Sequence, residues 1–109
     1  MRILLDHCVH VRYGELLPGH EVHHTKEMGW ELLGNGALLS AAEAEGFEIF
    51  LTVDKSLRFQ QSFTGRKIVG ITLNSRFTSY EHIALLAPKL MRLLEQGLQP
   101  GSHYLIDPD

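Results

Sequence analysis

Residues Phe47 to Gln61 read FEIFLTVDKSLRFQQ. The stretch begins as a strongly apolar run, Ile49-Phe50-Leu51-Thr52-Val53, meets one acid at Asp54, and passes into polar, basic sequence. A short apolar run without polar alternation suits a strand buried on both faces, as in parallel sheets covered by helices. The first residues repeat the layout, with Arg2-Ile3-Leu4-Leu5 followed by Asp6. Two such strands would set two carboxylates at one edge of a parallel sheet. Open α/β sheets build their sites at that carboxyl edge.

The surrounding sequence extends this pattern. Pro18-Gly19 closes a first helical segment, Cys8 to Leu17, and Glu21 to Thr25 reads as a short second strand. Gly29, Gly34 and Gly36 make a loop of Lys26 to Gly36, with Trp30 as its core plug. Asn35 is placed to cap a helix over Ala37 to Glu45 that Gly46 stops. Glu48 to Val53 is the third strand, Ser56 to Phe63 a short helix, and Lys67 to Leu73 the fourth strand. Ser79 to Gln96 is a long amphipathic helix that Pro88 kinks or restarts, and Ser102 to Ile106 is an edge strand. Strands alternating with helices predict an α/β domain: a three-layer α/β/α sandwich with a mainly parallel sheet of about five strands and right-handed crossovers.

The 109 residues suit one domain, residues 1–109, with a core of its own. Acids outnumber Lys and Arg by 13 to 10, a net charge of −3, so a nucleic-acid partner would need a local basic patch. The single Cys8 excludes an internal disulfide framework and fits a cytoplasmic setting. No apolar run approaches the ~20 residues of a membrane span, and MRILLDH is interrupted too early for a secretory signal.

Asp6 and Asp54 are the first chemical candidates. Hard divalent cations take oxygen ligands, and Mg²⁺ commonly uses one or two carboxylates and keeps several waters. The alternative for Asp54 is to cap the segment that follows it. His7 adjoins Asp6 and could reach the same site. His23 and His24 are neighbours on a strand and point to opposite faces, so they do not share an ion. Lys55, Arg58, Arg66, Lys67 and Arg76, with Gln60 and Gln61, could hold a phosphate backbone, and Phe59 and Phe77 could stack on bases. The alternative places Phe59 in the core and leaves the bases as a solvated face. Cys8 lacks the partners of a nucleophile, and Gly34-Asn35-Gly36 is a turn before a helix.

Taken in order, ILLDHCV, LLPGHEV, EMGW, NGALL, LTVDKSLRFQQ and GRKIVGITL resemble the short PIN-like domains related to the VapC ribonuclease toxins. The likeness covers roughly residues 2 to 74. It implies a three-layer α/β/α sandwich, an acidic pocket for Mg²⁺ or Mn²⁺, cleavage of RNA, an antitoxin partner and a homodimer. By position it implies catalytic roles for Asp6, Asp54 and Asn74; read together with the residues themselves, Asp6, Asp54 and His7 form the expected metal set, and Lys55, Arg58, Arg66 and Gln61 are expected on the RNA. Two positions depart from the pattern: His7 stands where many relatives carry an acid, and Ala37 where NGELL or DGELL would place a carboxylate. The rival expectation is therefore a non-catalytic binding module on the same fold. A receiver-like domain would need paired acids after the first strand, and only Asp6 is there.

Overall fold

The computed structural model describes residues 1–109, with the side chain of Arg58 outside the described set. Five strands form one all-parallel sheet: β1 (Arg2–Leu5), β2 (Glu21–His24), β3 (Ile49–Thr52), β4 (Val69–Leu73) and β5 (His103–Ile106), in the order β2-β1-β3-β4-β5. The apolar runs became the interior of the sheet because only strands covered on both faces can bury every residue. All four residues of β3 and all five of β4 are buried.

Strand periodicity sorts the core into two layers. On one face lie Ile3, Leu5, Ile49, Leu51, Val69, Ile71 and Leu73. They are covered by Tyr13 and Leu17 of a 3₁₀ segment (Val11–Leu16) and its end, and by α4 (Tyr80–Ala84) and α5 (Ala87–Leu94) through Ile83, Leu90 and Leu94. On the other face Leu4 and Phe50 meet Leu38, Leu39 and Ala42 of α2 (Asn35–Ala44) and Leu57 of α3 (Leu57–Gln60). The result is the expected three-layer sandwich. The Tyr13 hydroxyl donates to the Ile83 carbonyl at 2.8 Å, tying the 3₁₀ segment to α4. The connections β3 to β4 and β4 to β5 step the same way along the sheet but cross on opposite faces. Their hands therefore differ, whereas right-handed crossovers were expected throughout.

Several local expectations are corrected. The first helical segment is 3₁₀ rather than α. It lies so close to β2 that a Cβ on Gly14 would stand 3.0 Å from the Val22 Cβ. The loop after β2 contains one helical turn, α1 (Thr25–Met28), capped by the His24 ring, whose Nδ1 accepts the Lys26 N–H at 3.1 Å. Asn35 is the first residue of α2, and Gly34 occupies the cap without a side-chain bond. The long helix divides into α4 and α5, with Pro88 in the first turn of α5, where a missing N–H costs nothing. Gly46, at φ +81°, ends the turn after α2 as anticipated. Trp30 packs on the α2-side core, edge-on to Phe47 at 6.2 Å between ring centroids.

Gly70 has a packing role that its place in a β-branched run hides. The Phe63 ring lies over it, and a Cβ there would fall 2.6 Å from that ring. Phe63 also meets the His103 ring edge-on at 5.0 Å. Gly70 is paired with Phe50 and His103, so the strand gives up a side chain to seat one aromatic.

Candidate functional site

β1 and β3 are neighbours, while the chain leaves β1 toward β2 and leaves β3 toward β4. This is where the direction of winding reverses, and parallel α/β sheets open a crevice there beyond the carboxyl ends. Asp6 follows the last residue of β1, and Asp54 lies two residues past β3.

Asp6 is almost fully buried, with 4% of its surface exposed. A buried carboxylate must be met by donors, because the low-dielectric interior penalises an unpaired charge. Its Oδ1 accepts the His7 backbone N–H at 2.8 Å and lies 3.0 Å from His7 Nδ1. Its Oδ2 accepts the Thr52 hydroxyl at 2.7 Å and the Cys8 thiol at 3.5 Å. Thr52 Oγ1 in turn accepts the Asp54 N–H at 3.0 Å. One buried hydroxyl therefore connects the two acids through the line Asp54 N–H, Thr52 Oγ1–H, Asp6 Oδ2. In the sequence Thr52 stands only as one residue of an apolar strand. The available signal was its hydroxyl two residues before Asp54 in LTVD, on the same side of the strand by period 2.

Asp54 also has the local task considered as an alternative. Its Oδ1 accepts the Ser56 N–H at 3.0 Å and the Ser56 hydroxyl at 2.6 Å, holding the turn into α3. Asn74 extends the sheet ladder by donating its N–H to the Ile106 carbonyl at 2.8 Å, and its side-chain amide donates to Asp107 at 2.6 Å. It stands at the next strand end along the same edge, directed toward β5. His7 is exposed while its ring nitrogen rests on Asp6. Burial, and next the Asp6 charge, push the Cys8 thiol above its ordinary value against the smaller pull of the Thr52 hydroxyl, which suits a neutral thiol rather than a nucleophile.

The residues assigned to RNA separate into groups. Lys55 is exposed on the turn after Asp54. Arg58 is in α3, and its side chain lies outside the described residues. Arg66 is engaged within the fold: its guanidinium donates to Glu43 at 2.7 Å, Ser40 at 3.2 Å and the Gly36 carbonyl at 3.4 Å, clamping α2 to the approach to β4. Burial raises the Glu43 carboxyl, but the Lys67 N–H and Arg66 outweigh it and leave Glu43 below the usual carboxylate range. Gln61 lines a cavity of about 510 Å³ with Phe59, Phe63, Gly101 and His103, beside the start of β5 rather than at the acid-bearing edge. Phe59 is 77% exposed and Phe77 54% exposed, so neither is a core residue. His24 is buried, with Nε2 donating to the Val9 carbonyl at 2.8 Å, while His23 faces the other way against Glu21 and Glu27.

The donor set at the edge is two carboxylates with hard oxygens, suited in kind to Mg²⁺ or Mn²⁺. Among the described residues, no three His, Cys, Asp or Glu side chains come together to hold an ion. Water or phosphate oxygens would have to complete the shell, as Mg²⁺ commonly allows. Ala37 is exposed in the first turn of α2, where a longer side chain has room. No helix among the described residues is long and apolar enough to cross a membrane. No family model matches the chain, and no match was found among curated proteins or among solved structures.

Proposed function

We propose that the chain is a PIN-like, metal-dependent endoribonuclease of the toxin kind, acting on RNA phosphodiesters at the carboxyl edge of β1 and β3. The observation that carries this reading is the bonded line from Asp54 through Thr52 to Asp6. It ties the backbone of the segment that carries Asp54 to the Asp6 carboxylate, at the edge where such sheets place their chemistry, and this supports the reading. Asp6 and Asp54 would hold Mg²⁺ or Mn²⁺, with His7 beside them; when bound, the ion supplies charge to polarise a phosphoryl oxygen and a water of lowered pKa. Asp6 is the preorganised member, held by its donors before any ligand arrives. Lys55, one residue past Asp54, would meet a backbone phosphate, with Arg58 in the α3 segment that follows. Asn74 would present a polar group at the adjoining strand end. In this reading RNA is the substrate, an antitoxin protein the restraining partner, and self-association as a homodimer the assembled form.

A specific observation favours a second reading, that of a non-catalytic binding module. Both Asp6 oxygens and one Asp54 oxygen already accept hydrogen bonds, and Ala37 offers no third carboxylate. Purified protein incubated with single-stranded RNA and Mn²⁺ or Mg²⁺ separates the two. Cleavage that requires the ion and disappears in Asp6→Asn supports the nuclease. Absence of cleavage in the wild type, with cleavage gained in Ala37→Glu, identifies a pocket that kept its geometry and lost its chemistry.

A further inference from the structure

A second cavity, of about 310 Å³, opens at the same edge of the sheet. It is walled by residues after β1 (His7 to Val11), by His24 at the end of β2 and Lys26 beyond it, and by the segment leading into α4 (Thr78 to Tyr80). Its volume is at the small end of the range for small-molecule pockets, ~300–1,000 Å³, the scale of one ligand unit rather than a strand. We infer that it is a nucleoside-phosphate site, with Tyr80 and His10 as the base-stacking wall and Lys26 as the phosphate contact.

Three observations support this. The first is charge: the chain is net −3, yet none of the lining residues is Asp or Glu, while three are His and one is Lys. An anion entering there meets no lining carboxylate. The second is the division of labour among the nitrogens. His24 uses both of its nitrogens internally, on Val9 and Lys26, and serves as wall. His10 Nδ1 accepts the Arg12 N–H at 3.1 Å, which leaves Nε2 as its donor. The Lys26 side chain is exposed. The third is the aromatic wall. The His10 and Tyr80 rings lie 5.1 Å apart, inclined at 59°, the Arg12 guanidinium stands over the Tyr80 ring at 5.3 Å, and Val9 and Val11 complete the wall. A bare phosphate would leave that surface unused, whereas a nucleobase stacks on it.

The cavity also adjoins Asp6. His7 and Cys8 line it and both contact the Asp6 carboxylate, at 3.0 and 3.5 Å, so a nucleotide seated there would lie next to Asp6. The ligand therefore has two sources, a free mononucleotide or the nucleotide of an RNA strand next to the phosphodiester that is cut. Only the strand source rests on the nuclease reading.

The test is titration by NMR or calorimetry of the intact protein in EDTA with 5′-UMP, 5′-AMP and a short single-stranded RNA. Saturable nucleotide binding is expected, with shifts at His10 and Tyr80. It should be weakened on the order of tenfold by Lys26→Gln, the effect of one lost charge-assisted hydrogen bond, and also by Tyr80→Leu. Lys26→Gln lies on the surface, and its thermal melt verifies the fold. RNA that displaces UMP in a Lys26-dependent manner assigns the site to the strand; UMP binding that RNA does not displace assigns it to a free nucleotide. Absence of saturable binding by any of the three, or affinities unchanged in both variants, overturns the inference. Because EDTA removes any divalent ion, the titration reads binding apart from cleavage: absence of binding here defeats only this inference, and absence of RNA cleavage in the separate assay with Mn²⁺ or Mg²⁺ defeats only the nuclease reading.

Discussion

Replacing Thr52 by Val keeps the shape of a fully buried side chain and removes only the hydroxyl that joins Asp6 to Asp54. The Asp6 carboxylate loses a donor at 2.7 Å inside a site with 4% exposure. Hydrogen bonds to charged groups contribute about 1.5–3 kcal/mol, and an ordinary one about 0.5–1.5 kcal/mol. The Asp54 N–H, which bonds Thr52 at 3.0 Å, belongs to a half-buried residue and recovers part of its loss from water. Together these give a destabilisation of about 2–4 kcal/mol. With a urea m-value of about 2 kcal/mol per molar, the middle of the usual range, the unfolding midpoint falls by roughly 1–2 M at unchanged slope. Thr52→Ser keeps the hydroxyl and loses one buried methyl, about 1 kcal/mol. Urea unfolding of wild type, Thr52→Val and Thr52→Ser decides the matter. If Thr52→Val is no less stable than Thr52→Ser, the hydroxyl is not the support of the acid pair. A cycle with Asp6→Ala should return a coupling on the order of 1 kcal/mol or more, as expected for side chains in one network.

Gly70→Ala drives a Cβ into the Phe63 ring and should cost about 1–3 kcal/mol, the usual penalty of overpacking; thermal melts should show Phe63→Leu restoring part of the loss in the double variant. Glu43 is held below its ordinary range in the fold, so its contribution is present above the unfolded carboxylate value of 4.5 and is lost as pH falls through the lower folded value. Unfolding free energies measured from pH 6 to pH 3 should therefore fall less in Glu43→Gln than in wild type. His23 behaves in the opposite sense: hydrogen bonds from its ring to Glu27 and then Glu21 raise its pKa above 6.5, so its contribution is complete below that value and disappears as pH rises through the raised one. His23→Gln should flatten the stability profile on the alkaline side of pH 6.5, by a modest amount because Glu21 and Glu27 are more than half exposed and screened. An unchanged slope in either variant removes that residue from the account.

Local sequence carried the strands because their signal is local. Ile49 to Val53 and Ile68 to Leu73 are apolar runs of strand length, and nothing but a doubly covered sheet buries them whole. The positions of Asp6 and Asp54 at the ends of such runs followed from the same signal, as did the opposed directions of His23 and His24. The break of the last helix at Pro88 was legible too, since the missing N–H is a property of one residue.

What sequence could not supply were relations between distant segments. The single turn of α1 depends on a cap from His24, whose ring is fixed by a carbonyl fifteen residues earlier, at Val9. Arg66 looks like a free cation until α2 brings Glu43 to it across 23 residues. Phe59, read with a core alternative, is exposed because Leu57 and Phe63 took the inward positions on either side of it. The role of Thr52 needed β1 laid beside β3, since its partner Asp6 is 46 residues away. Sequence by itself determined which segments are strands and which acids end them, because burial and periodicity act along the chain. Only the tertiary structure decided which polar groups those acids meet, because hydrogen bonds across a parallel sheet join residues that the chain keeps far apart.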